Sequence, residues 1–217
     1  LESHSLRSSL LTGLVLLWSL RLGLYLFTRN VGHGEDFRYV RMREKAGGDA
    51  AFAKRSLTHV FLLQFAISFF VSLPVQIGQF GTSDWLYVPV TEGLGVLALI
   101  GIAVFTIGLA FETIGDFQLS QFKKDPANKG KLMDRGLWAW TRHPNYFGDA
   151  AVWTGLTLIA LESQWGILTI LSPALMTYFL YNVSGKALLE RMMARRYPDY
   201  EAYKQRVSGF FPWPPSR

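Results

Sequence analysis

The chain has 217 residues, of which 50% are hydrophobic, 15% aromatic and only 18% charged; with a mean hydropathy of +0.18, this excludes an ordinary soluble domain and points to the membrane. It contains no cysteine, which excludes a disulfide framework and a thiolate metal site. The formal charge of +6 is spread between apolar runs rather than gathered in one block, so it reads as membrane topology and excludes nucleic acid as the partner.

Five apolar stretches follow in chain order, at 8–27, 57–80, 88–111, 146–161 and 165–183, the fourth being the shortest. Each approaches the roughly 20 residues that a bilayer crossing requires. The expected fold is therefore all-α, a polytopic integral membrane helical bundle with about five spans. It forms one domain over 1–217, with the first three spans in 8–111 and a C-terminal region in 112–217. The chain opens on Leu1 and enters its first span without the charged leader and small-residue cleavage site of a signal peptide. A truncated bundle, cut from one of about seven spans, is the corresponding expectation.

Basic residues test that topology. Arg29, Arg38, Arg41, Arg43, Lys45, Lys54 and Arg55 fall between the first two stretches, and Lys123, Lys124, Lys129, Lys131, Arg135 and Arg142 between the third and fourth. Lys186, Arg191, Arg195, Arg196, Lys204, Arg206 and Arg217 follow the fifth, whereas 81–87 and 162–164 hold no Lys or Arg. The three basic segments and the C-terminus are thus expected on the cytoplasmic side.

Ionisable groups in or beside spans are costly in hydrocarbon and call for partners or a wet cavity. Arg21 lies inside the first stretch, Glu92 opens the third, and Glu112 and Asp116 follow its end at a spacing that puts both on one helix face. Asp149 lies one turn past Asn145. The plain alternative has Arg21 snorkelling, Glu92 at the interface and the acids solvating helix ends. Together with Lys123, Lys124, Lys131, Arg135 and Arg142, the acids predict a polar cavity open to the cytoplasm. Its bases suit ligand phosphates, and its carboxylates and Asn amide suit ribose hydroxyls or a nicotinamide-type carboxamide. No Gly-rich fingerprint follows a strand, so a Rossmann site is excluded; the small residues of "GLGVLALIG", 93–101, read as close helix packing.

In "WTRHPNYFGDAAVW", 140–153, Arg142 and His143 sit at the membrane surface, Pro144 opens a helix without losing a needed N–H, and Asn145 and Asp149 face the cavity. Trp153 lies deeper, toward an apolar substrate. An interfacial anchor in which Trp138, Trp140 and Tyr146 form an aromatic belt is the competing structural reading. His33, with Glu35 and Asp36, reads as a solvated turn, so no metal is expected. His59 and Gln64 either line a cavity or bond between helices; the sequence leaves both open.

The runs "FETIGDFQLSQFKKDPANKGKLMDRGLWAWTRHPNYFGDAAVWTG" (111–155), "SGKALLERMMARRYPDYEAYKQRVSGFFPWPP" (184–215) and "WSLRLGLYLFTRNVGHGEDFRY" (18–39) resemble the C-terminal region of the steroid 5-alpha-reductase superfamily, and within it a bacterial branch of uncharacterised membrane reductases. The resemblance implies that 112–217 is the cofactor-binding C-terminal region, with NADPH held among the cytoplasmic helix ends and hydride delivered to an activated carbon-carbon double bond of a lipid-like, steroid-type or enone substrate. It also implies a place in lipid metabolism at the bacterial inner membrane, with the cofactor site cytoplasmic. Oligomeric state is left open.

Position by position, the resemblance puts Glu112 where an Asn contacts the cofactor and Asp116 at an acidic position one turn later. Lys123 and Lys131 stand for arginines near the phosphates. Arg142, His143, Asn145, Tyr146 and Asp149 form the central cofactor motif, Asp149 replacing its Glu. Lys186 and Glu190 stand where a His and a Tyr approach the cofactor, and Trp153 aligns with a Trp flanking the substrate. Trp18 falls on the Tyr that polarises the substrate carbonyl, and that Tyr's Glu partner would lie upstream of Leu1. Within the first span, Tyr25, about two turns from Trp18 on a similar face, is the candidate proton donor.

A competing enzyme reading is the isoprenylcysteine methyltransferases, which also carry an Arg-His-Pro-X-Tyr element and a later Glu with paired tyrosines. Here these are Arg142 to Tyr146, and Glu190 with Tyr200 and Tyr203. Such an enzyme binds S-adenosylmethionine, whose sulfonium needs no phosphate-neutralising lysines; Glu112, Asp116 and Asp149 favour the reductase. A non-catalytic lipid-binding membrane protein is the third reading, supported by Trp18. The charge pattern makes the topology testable: tags at the C-terminus and within 81–87 should report opposite faces of the membrane, and finding both on one face would overturn the five-span reading.

Overall fold

The computed structural model describes residues 6–32, 34–35, 37–81, 86–91, 93–183 and 186–215. His33, Asp36 and Glu92 lie outside the described residues. The protein is mostly helical. Its elements run α1 (Leu6–Asn30), α2 (Phe37–Ala46), α3 (Asp49–Ser56), a π-helical turn at Leu57–Phe61, α4 (Leu62–Val71) and α5 (Leu73–Ile77). A small antiparallel ribbon, β1 (Pro89–Thr91) with β2 (Leu94–Gly95), leads into α6 (Val96–Lys124). α7 (Pro144–Ala160), α8 (Leu171–Tyr178), a second π turn at Phe179–Val183, α9 (Lys186–Arg196) and α10 (Tyr200–Arg206) complete the chain.

Three helical segments are long and apolar enough to cross a membrane: Leu6–Asn30, Val96–Lys124 and Gly166–Val183. The expected count of about five is not reproduced, and each difference has a physical cause. The stretch 57–80 is divided because Pro74 lacks an N–H and its ring crowds the carbonyl one turn earlier, so α4 stops at Val71 and a short α5, carrying Pro74 in its first turn, follows. The carbonyl of Phe69 is re-satisfied at that break by the Ser72 hydroxyl at 3.1 Å and the Gln76 amide at 3.0 Å. The stretch 88–111 begins as ribbon, and its helix then runs on to Lys124. Glu112 and Asp116 are therefore inside α6 rather than beyond its end. α7 has 17 residues, at the short end of what a bilayer requires, and it is buried on nearly every side.

That burial follows from glycine. Gly101, Gly108 and Gly115 recur at heptad spacing on α6, and Gly148 and Gly155 do so on antiparallel α7. Gly101 faces Gly155 and Gly108 faces Gly148, backbone against backbone. A Cβ on Gly108 would stand 2.6 Å from the Gly148 carbonyl oxygen and from the Val152 nitrogen, and a Cβ on Gly155 would stand 2.6 Å from the Gly101 oxygen and the Phe105 nitrogen. Gly115 meets Pro144, the first residue of α7. Small residues permit this closeness where lipid supplies no hydrophobic drive between helices. Phe105, Val152, Trp153, Leu156 and Ile159 fill the space on either side, joined by Leu11 of α1 and Val71 of α4.

One end of the bundle is closed by Arg7 and Glu162, both fully buried. Arg7 donates to the carbonyls of Phe80 at 2.5 Å and Glu162 at 3.1 Å. The Glu162 carboxylate accepts from the backbone N–H groups of Gly95 at 3.0 Å and Ala98 at 2.8 Å. A carboxylate there satisfies orphan donors at the start of α6 and complements its dipole. The opposite end is bound by the C-terminal strap: Arg142 N–H donates to Ser208 at 2.9 Å, the Thr141 hydroxyl to Phe210 at 2.9 Å and Trp213 N–H to Trp140 at 3.0 Å.

The glycine seam reverses the usual effect of a helical Gly→Ala change, which in an open position gains up to about 1 kcal/mol. Gly13 of α1 has open space around it, so Gly13→Ala should hold or raise the unfolding midpoint. Gly108→Ala should lower it, with a loss of about 1–3 kcal/mol from overpacking, read by thermal unfolding of the detergent-extracted protein.

Candidate functional site

α1, α6 and α7 each direct polar side chains to the end of the bundle remote from Arg7. Arg21 of α1 reaches Glu112 at 2.8 Å and Asp116 at 2.5 Å, and the three side chains are largely buried. Arg21 therefore does not snorkel to a headgroup; it is the shared partner of two acids held on one face of α6 by their one-turn spacing. The Trp18 indole N–H, one turn earlier on α1, donates to Glu112 at 3.2 Å, and its ring packs edge-on against Trp153 with centroids 5.3 Å apart. Tyr25 lies between the guanidinium groups of Arg21 and Arg29, 5.7 and 5.6 Å from its ring centre.

Arg21, Tyr25, Arg29, Glu112 and Asp116 line a cavity of about 160 Å³ whose wall also contains Asn145, Tyr146, Asp149 and Leu180. Two side-chain atoms on the same face of α7, Asp149 Oδ1 and Trp153 Nε1, are buried without a hydrogen-bond partner among the described residues. The two side chains face each other closely enough to interact, yet neither atom completes a hydrogen bond of normal geometry, a cost that a ligand or water meeting either one would relieve. They mark the level at which a polar group of a ligand can be held.

A second centre lies beyond the start of α7. Arg142 donates to Glu190 at 2.9 Å and to the carbonyls of Lys204 at 2.9 Å and Val207 at 2.6 Å. Its charge thus ties α9 and α10 to the α6–α7 connection. His143 Nε2 lies 3.3 Å from the same Glu190 oxygen. The Tyr203 hydroxyl donates to the Trp138 carbonyl at 2.6 Å, and the Trp138 indole donates to Gly115 at 3.0 Å, anchoring α10 to the foot of the glycine seam. A cavity of about 290 Å³ sits among these groups, with Lys123, Arg196, Tyr197 and Tyr200 in its wall beside Arg142, His143 and Tyr203.

Burial alone would raise the Glu190 carboxyl, but the hydrogen bonds and charges of His143 and Arg142 outweigh it and hold Glu190 at about 2. Burial lowers His143 despite the opposing pull of Glu190, which favours the neutral ring. Because an ionised carboxylate only accepts, Nε2 carries the ring proton toward Glu190. Nδ1 is then an acceptor, and it is buried without a partner among the described residues. Burial, with the Glu190 charge second, pushes Tyr200 up to about 12, and burial raises Tyr203 as well; both remain neutral hydrogen-bonding phenols.

One aromatic contact joins the walls of the two cavities. His143, in the wall of the second, stacks on Tyr146, in the wall of the first, with ring centroids 5.2 Å apart and planes 6° from parallel. The candidate residues therefore divide into connected groups. Trp18, Tyr25, Glu112, Asp116, Asn145, Tyr146, Asp149 and Trp153 gather around Arg21, while Lys123, Arg142, His143 and Glu190 gather with the C-terminal tyrosines. Lys131 stands apart, in a groove with Tyr197, Asp199 and Arg206. Lys186 lies over the Tyr181 ring at 3.9 Å and closes on Gly209, where a Cβ would meet its Nζ at 2.8 Å. Arg29 and Arg196 were not among the expected contacts, and basic residues in runs offer no sequence signal that separates a cavity wall from a solvated face.

The sequence profile of DUF1295, described as a protein of unknown function, matches residues 1–207. The chain is similar to the uncharacterized protein C594.04c of Schizosaccharomyces pombe, 27% identical over 229 residues, covering 96% of this chain and 64% of that protein. It is also similar to the probable O-methyltransferase ustE of Ustilaginoidea virens, 33% identical over 88 residues, or 41% of this chain and 29% of that one. The chain thus spans less than two thirds of the length of these relatives. No solved structure matches it.

The Arg142–His143–Glu190 centre carries an acid sensitivity. With His143 held below its ordinary value of about 6.5, the unfolded chain binds a proton first, so stability falls as the pH drops through that value. Glu190 acts in the same direction: its contribution is complete above about 4.3 and is lost as the pH falls toward about 2. The unfolding midpoint in detergent should drop steadily from pH 7 to pH 3. Glu190→Gln should lower it at pH 7 and flatten the limb below about pH 4.3.

Proposed function

The chain belongs to the DUF1295 family, which includes steroid 5-alpha-reductase-like proteins, and from that membership we propose that it forms the cofactor-binding part of an NADPH-dependent membrane reductase. The substrate is a lipid-like molecule with an activated carbon-carbon double bond, of the steroid or enone type. The observation that carries this reading is the pairing of two cavities with different linings across the stacked His143 and Tyr146 rings. A dinucleotide is long, with anionic phosphates in its middle and a carboxamide and hydroxyls at its ends. Lys123 and Arg196 offer charge to the phosphates, since the guanidinium of Arg142 is already engaged by Glu190. Asn145, Glu112, Asp116 and Asp149 offer acceptors and an amide for the hydroxyls and carboxamide.

When bound, NADPH would supply the hydride. The protein's own contribution is orientation and exclusion of water. The stacked pair presents a flat surface for an aromatic ring, the α6–α7 seam keeps the acidic cavity narrow, and the unpaired Trp153 N–H is a donor suited to a substrate or cofactor carbonyl. Tyr25, beside Arg21 and Arg29, is a phenol within the same cavity and keeps the role of candidate proton donor.

Methyl transfer from S-adenosylmethionine is a second reading with its own support. The relative from Ustilaginoidea virens is named as a probable O-methyltransferase, and the Arg142, His143, Glu190, Tyr200 and Tyr203 set shared with the isoprenylcysteine methyltransferases gathers around one cavity. A non-catalytic lipid-binding protein is the remaining alternative.

Nucleotide titration of the purified protein separates these readings. Asn145→Ala and Asp149→Ala should each weaken NADPH binding by roughly 0.5–1.5 kcal/mol while the protein stays monodisperse. Lys123→Glu should harm NADPH binding more than S-adenosylmethionine binding, because only the former brings several anionic groups. Equal NADPH affinity in the wild type and all three variants would reject the reductase reading, and tight S-adenosylhomocysteine binding without NADPH binding would establish the second.

A further inference from the structure

A third hollow, of about 450 Å³, lies between α4 and α8 and is flanked by both π-helical turns, Leu57–Phe61 and Phe179–Val183. Wide turns of this kind are uncommon and concentrate at functional sites. Its wall is apolar, formed by Leu63, Ile67, Met176 and Leu180 among others, with polar groups only from Tyr39, His59 and Gln64. Among the described residues, no Asp, Glu, Lys or Arg lines it. His59 Nδ1 is engaged by the Thr58 hydroxyl at 2.8 Å, which leaves Nε2 for another partner. An imidazole and an amide beside an otherwise apolar wall offer hydrogen bonds to an occupant with one polar group. Leu180 also forms part of the wall of the acidic cavity, so the hollow adjoins the place where Glu112 and Asp149 meet.

We infer that this groove receives an uncharged lipid, with a carbonyl or hydroxyl held by His59 and Gln64 and an apolar body lying along Ile67, Met176 and Leu180. The inference rests on the reductase reading for its purpose, delivery of the substrate past Leu180 to the acidic cavity, but not for its geometry. The lining selects the occupant. With no cationic side chain among its described residues, the wall is a poor match for a phosphate or carboxylate headgroup, whereas an imidazole and an amide match a neutral polar lipid. The volume falls within the range of small-molecule sites.

The test is photolabelling of the full chain, reconstituted in nanodiscs, with a diazirine-bearing long-chain enone and with the same hydrocarbon chain ending in phosphate. Mass spectrometry should place the enone label on the peptides containing Leu57–Phe61 and Phe179–Val183, well above the phosphate probe. Ile67→Trp, which fills the hollow, should cut that labelling by about tenfold or more, with NADPH affinity unchanged as the sign of an intact fold. Gln64→Leu, a milder change, should erase the preference for the enone over a plain hydrocarbon diazirine. Labelling spread evenly onto the exposed Ile107 and Phe117 of α6, equal labelling by the phosphate probe, or indifference to both variants would overturn the inference. Selective enone capture by a protein that binds no NADPH would leave the groove standing and remove the reductase reading. NADPH binding without groove labelling would do the reverse.

Discussion

Backbone contact between α6 and α7, made possible by glycine on both helices at heptad spacing, is the constraint from which the polar chemistry follows. With side chains at those positions the axes would stand several ångströms farther apart. Gly148 is the pivotal residue: a Cβ there would meet the Gly108 carbonyl, the Glu112 nitrogen and the Glu112 side chain. The seam therefore stacks one turn of α6, carrying Glu112, against the turn of α7 that carries Asn145 and Asp149. Because the seam excludes lipid as well as side chains, the acids can be buried beside Arg21 rather than drawn out to water. Buried pairs of this kind add little net stability by themselves, and the cohesion comes from the apolar packing around them.

The two ends of the bundle use charge differently. At the Arg7 end, the buried guanidinium and carboxylate are spent on backbone groups: Arg7 on loop carbonyls, Glu162 on the first N–H groups of α6. Among the described residues, no buried side-chain polar atom at that end lacks a partner. At the other end, Asp149 Oδ1, Trp153 Nε1 and His143 Nδ1 are buried without protein partners among the described residues. Polar groups that are saturated hold a fold together, and polar groups left unpaired are what a bound molecule completes. That contrast, more than any single residue, supports the proposal that the site lies at this end.

The C-terminal strap links stability to the site. Arg142 and Glu190 clamp α9 and α10 onto the entrance of α7, and the same Glu190 sets the tautomer of His143 and hence the stacking face offered with Tyr146. Loss of the clamp would disorganise a binding wall without touching the acidic cavity, so the two halves of the site can respond to change separately.

The membrane class, the helical fold, the helix start at Pro144 and the one-face pairing of Glu112 with Asp116 were legible from the sequence, because hydropathy, proline position and helical period are local properties. The number of spanning helices is not confirmed: 57–80 breaks at Pro74 and 88–111 starts as ribbon, because local backbone groups find partners outside a continuous helix, Phe69 with Ser72 and Gln76, and Pro89–Thr91 with Leu94–Gly95. Arg21 as the partner of two acids, Glu162 as a cap on α6 and the meeting of His143 with Glu190 each join residues far apart in sequence, and no periodicity carries such distances. The glycines of α6 and α7 were visible as small residues, yet their register against one another existed only once the helices had packed. Local physics decided the elements; the close approach of two backbones decided which of their polar groups share a cavity.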